Sequence, residues 1–190
     1  MRTLILLFSI FHVSSVAAGI DCRIGDEPDR YRIQISEFGE SLLCGFSPEY
    51  VAAFRVVVIP SFGDPKIATV YHRHDGTVDL DGNYPINTGD YVQLLSEFKE
   101  LQIFDLDSYE NLIKKNCNFL NGPVAGNDPP NSEPSRCPIG FDGTYVFLEA
   151  AYGGKKRAVL RWNGLSEQPY VEKQFSRTAN HLLSISGKRS

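Results

Sequence analysis

After residue 19 the chain has no apolar run approaching the roughly 20 residues that a spanning helix needs, so no integral membrane segment is expected in the mature protein. It lacks a G-x-S-x-G elbow, a phosphate-cradling glycine loop and a dinucleotide fingerprint, which removes the motifs of the commonest serine hydrolases and nucleotide enzymes. Only four cysteines occur, none in C-x2-C spacing, which argues against a structural zinc site. Basic residues are outnumbered, 19 against 23, so a nucleic-acid partner is not expected. Nothing in the sequence calls for a cofactor.

What is present is ordinary globular material: 190 residues, 42% apolar, 22% charged and 12% aromatic. A chain of this size buries roughly 70% of its unfolded surface, enough for a core that needs no metal to nucleate it. The first residues have the layout of a secretory leader: Arg2, an apolar stretch from Leu4 to Val13, then small residues. Cleavage after Ala18 or Gly19 places small residues at both recognition positions and leaves Cys22 near the new terminus. Asp21 stands where a lipoprotein would carry a small residue. We therefore expect a leader over residues 1–19, a single domain over 20–190, and a periplasmic or extracellular location.

Export makes disulfides possible, and Cys22, Cys44, Cys117 and Cys137 form an even set. Three connectivities exist. Pairing Cys22 with Cys44 and Cys117 with Cys137 closes two local loops, each worth about 3 kcal/mol on loop entropy. Charge is uneven: residues 20–150 carry 10 Lys and Arg against 21 Asp and Glu, whereas residues 151–190 carry 8 against 2. Such a dipole either steers a charged partner or holds the two ends together.

Hydrophobic periodicity predicts the elements. Tyr31, Ile33 and Ile35 alternate with polar residues as a strand does, with Ser41 to Phe46 as its partner. Ser47-Pro48-Glu49 has the form of a helix start. Phe54 to Ile59 reads as a central strand. Asp75-Gly76 suits a two-residue type I′ turn between Ile67–His74 and Thr77–Leu80, a register that sets His72 opposite Asp79. Asp90 to Leu101 is an amphipathic helix with Asp90 and Gln93 as a capping box, and Tyr91, Leu94, Leu95, Phe98 and Leu101 on one stripe. Asn116 to Cys137 has no period and reads as a long loop. Thr144–Ala151 and Lys156–Trp162 form a hairpin through Gly153-Gly154, putting Tyr145, Phe147 and Glu149 on one face with Ala158, Leu160 and Trp162. Val171, Phe175, Ala179, Leu182 and Ile185 define a last helix ending at Gly187. The expected fold is α+β: an antiparallel sheet of about five to seven strands, two main helices on one face, and two disulfides.

Three groups invite chemistry. His72, His74 and Asp79 supply a two-histidine, one-carboxylate set, and the alternative is a solvated, charge-paired hairpin face. Asp75 to Asn83 partly matches a calcium loop, but Thr77 and Thr88 fall where an Asp and a bidentate Glu belong. Glu149 lies among apolar neighbours, where burial would raise its pKa and suit a general acid. Its structural alternative is an anchoring bond to a basic side chain such as Arg161, which would need a bulge. Lys155-Lys156-Arg157 at the hairpin tip is either an anion patch or a solubilising tip.

Asp142, Gly143, Leu148, Glu149, Gly153, Gly154, Arg161 and Trp162 together resemble the core signature of small exported bacterial proteins of unknown function. In that signature a DG pair, an aromatic, an L-E pair, a glycine turn and a final R-W precede a leucine-rich helix; Val146 stands here where an aromatic is usual. The resemblance covers about a third of the chain. It implies an exported bacterial α+β domain and carries no catalytic residue across. The expected function is a noncatalytic binding or accessory protein whose partner is a protein or envelope component. The rivals are a small metal-dependent or carboxylate-dependent hydrolase using the His72, His74, Asp79 set or Glu149, and a toxin-neutralising immunity-type protein.

Overall fold

A computed structural model describes residues 35–45, 47–116, 143–163 and 171–188. The leader, Tyr31–Gln34, Cys22, Cys117, Cys137 and almost all of the Asn116–Cys137 loop lie outside the described residues. The sheet has six strands, all antiparallel: β1 Ala52–Pro60, β2 Lys66–His72, β3 Val78–Leu80, β4 Tyr84–Pro85, β5 Thr144–Tyr152 and β6 Lys155–Trp162. Their order is β4-β3-β2-β1-β5-β6. The apolar, β-branched run Phe54–Ile59 does lie centrally, with β2 on one side and β5 on the other. The helices are α1 Thr88–Leu101, α2 Tyr109–Asn116 and α3 Lys173–Gly187, with a short 3-10 turn at Ile103–Asp105.

Period-2 alternation divides the strands between two faces. Phe54, Val56, Val70, Leu80, Leu148 and Val159 meet Leu94 and Phe98 of α1 and Phe175, Ala179 and Leu182 of α3. Both main helices therefore cover one face. Full burial of each such side chain contributes about 1.5–3 kcal/mol, and the Phe54 and Phe98 rings lie 4.5 Å apart. Helix α1 starts earlier than its first carboxylate suggests. Asn87 is the cap, accepting the Asp90 amide at 2.8 Å, while Asp90 occupies the third helical position and accepts from the Asn87 side chain at 2.7 Å. Lys188, just past α3, reaches the same carboxylate at 3.0 Å and is the chief reason its pKa falls below the usual carboxylate value.

The opposite face is not open. Residues 35–44 lie across it, with Ile35, Phe38 and Leu42 against Val57, Phe147 and Leu160, and Leu43 against Ala53 and Ala151. This corrects the expected first hairpin: residues 35–37 are helical and 40–44 carry no strand pairing. Ser47-Pro48-Glu49 does not begin a helix either. The Ser47 hydroxyl accepts the Glu49 amide at 3.1 Å in a local turn.

The two hairpins differ instructively. At Gly153-Gly154 both φ angles are positive, +58° and +76°, and the two-residue turn delivers the expected register, with Tyr145 opposite Trp162 and Glu149 opposite Ala158. At Asp75-Gly76 the loop is one residue longer. The Arg73 amide donates to Thr77 O at 2.8 Å, the Gly76 amide donates to Arg73 O at 3.1 Å, and Gly76 takes the left-handed conformation at φ +86°. That single residue moves the register, so Tyr71 faces Asp79 and His72 faces Val78.

Gly143 marks the start of β5 and sits against the one tryptophan. A Cβ there would clash with Nε1 of the Trp162 indole, a contact that only displacement of the indole relieves. Gly143→Ala should cost about 1–3 kcal/mol through overpacking and shift the Trp162 emission maximum, read by thermal unfolding and fluorescence. Unchanged stability with unchanged emission would contradict this packing.

Candidate functional site

The most heavily engaged polar group lies in the middle of the second face. Arg55 on β1 pairs across the sheet with Thr69 on β2 and with Glu149 on β5, and Arg55 and Glu149 are each only 1% exposed. The guanidinium donates from Nε to Thr69 Oγ1 at 3.1 Å and from Nη1 to Glu149 Oε2 at 3.1 Å and Ser41 O at 2.9 Å. Its Nη2 donates to Glu40 Oε2 at 3.3 Å. The other Glu149 oxygen accepts the Leu43 amide at 3.3 Å. A buried charge without such partners would cost several kcal/mol, so the pair is retained only because strand and covering segment both satisfy it. Glu149 is thus an anchor. Its basic partner is Arg55 on the neighbouring strand rather than Arg161, and no bulge is needed.

Arg161 points to the helical face, where Val146 is its strand partner. It is fully buried and holds Glu172 with two hydrogen bonds, Nε at 2.8 Å and Nη2 at 2.7 Å, fixing the start of α3. The tip residues also divide: Arg157 donates to Leu106 O at 2.6 Å, tying the segment between α1 and α2 to the outer strand.

The slipped register separates the metal candidates. His72 lies on the helical side, where its Nδ1 shares a 2.9 Å hydrogen bond with the Tyr91 hydroxyl, whose pKa is raised by burial. His74 Nε2 is 3.0 Å from Ser47 O. Asp79 lies on the other side and accepts from Arg73 Nε at 2.7 Å. The aspartates of the calcium-like stretch are dispersed as well: Asp81 accepts the Thr69 amide at 2.7 Å, and Asp75 accepts from Thr77. Among the described residues no three His, Cys, Asp or Glu side chains converge as metal ligands.

Sequence reasoning missed two things: Arg55, hidden in an apolar run, and a polar cluster between α1 and α3. There Glu97, 2% exposed, meets His181 Nδ1 at 2.8 Å, Gln93 Nε2 at 3.0 Å and Arg177 Nε at 3.4 Å. A lone glutamate on an otherwise apolar stripe was the available signal. Cys44, the one cysteine among the described residues, is not a free thiol. Its amide donates to the Tyr50 hydroxyl at 2.7 Å, and burial raises that phenol's pKa despite the bond.

Three recesses of about 440–450 Å3 adjoin one another at one end of the sheet. They overlap in pairs, one pair sharing Ser47, Pro48 and Tyr50, another His74 and the third Glu49, and one of them reaches Arg55 beneath the covering segment. Compared with protein-family models, curated proteins and solved structures, the chain matches none.

Replacing Glu149 by Leu leaves Arg55 with only the part-exposed Glu40 carboxylate and should cost up to about 3–5 kcal/mol, whereas adding Arg55→Met to Glu149→Leu should recover a large part of that loss. Denaturant unfolding of the two singles and the double measures this. Additive losses would mean that the two charges do not depend on one another.

Proposed function

We propose that this chain is an exported, noncatalytic binding or accessory protein acting in the periplasm or extracellular space on a protein or envelope partner. Residues 1–19 would be its leader, and Cys22–Cys44 and Cys117–Cys137 its disulfides. The observation that carries the reading is the commitment of Glu149, His72, His74 and Asp79, the residues that invited catalysis or metal binding, to structural contacts. Glu149 neutralises Arg55, His72 bonds Tyr91, His74 bonds Ser47, and Asp79 bonds Arg73. The recesses, by contrast, gather on one surface made of turns and hairpin tips, the arrangement of a recognition face carried on a rigid sheet.

Membership of the exported bacterial group remains part of this proposal. Gly143, Leu148, Glu149, Gly153, Gly154, Arg161 and Trp162 each have a packing, turn or pairing role, which suits a signature that specifies a fold.

The hydrolase alternative is separated by metal analysis of the protein purified from an oxidising compartment, followed by His72→Ala with His74→Ala. We expect no stoichiometric metal and a stability loss of about 1 kcal/mol, the worth of the His72–Tyr91 bond. Stoichiometric zinc or manganese that disappears in the double variant would overturn the proposal in favour of metal chemistry.

A further inference from the structure

We draw no further inference here: the strongest candidate, the apolar patch that the partly buried Ile59, Ile67 and Tyr145 form at one end of the second sheet face with Phe62 exposed in the turn between β1 and β2, carries nothing because no contact among the described residues shows what covers it.

Discussion

The centre of this protein is organised by one buried ion pair. Arg55 and Glu149 stand opposite each other on adjacent strands, in positions that alternation would otherwise give to apolar side chains. Neither charge can be left unsatisfied there, and the sheet alone does not satisfy both. The remaining partners come from the chain ahead of β1: Ser41 O, the Glu40 carboxylate and the Leu43 amide. Two charges in the sheet thereby dictate that residues 40–43 return to this face in one arrangement, and the apolar contacts of Ile35, Leu42 and Leu43 follow from it.

The same device recurs at the margins. Arg161 and Glu172 fix where α3 begins, Lys188 and Asp90 join its end to the start of α1, and Glu97 with His181 aligns the two helices between those points. Each pair couples elements far apart in sequence, so the polar contacts specify relative placement while the Phe54, Phe98 and Phe175 core supplies most of the driving force. Two of the recesses lie where the chain ahead of β1 passes the hairpin tips, and the third lies under the segment that the central pair fastens.

Much of this fold could be read from the sequence. Helices α1 and α3, the central β1 and the β5–β6 hairpin announced themselves through long periodic patterns and, for the hairpin, paired glycines whose positive φ admits one turn type. The β2–β3 hairpin was recognised, but its register was not, because Asp-Gly serves both a two-residue turn and a three-residue turn ending in a left-handed glycine. The choice between them moved His72 and Asp79 to opposite faces and dissolved the metal candidate. Residues 35–44 misled for a different reason: Ile35, Leu42 and Leu43 are apolar because they cover a sheet, not because they form one. Arg55 escaped notice because β-propensity scores its neighbours. Two isolated opposite charges, one in each of two apolar strands, were the legible sign that those strands are adjacent.

The most direct probe of the central pair is hydrogen exchange at the Leu43 amide, which reports whether residues 40–43 are held by Glu149. In the wild type this amide should be protected, and in Glu149→Gln it should exchange at least about tenfold faster while the amides of β1 and β5 keep most of their protection, since local opening precedes global unfolding. Equal Leu43 exchange in the two proteins would contradict the claim that the buried pair fastens the covering segment to the sheet.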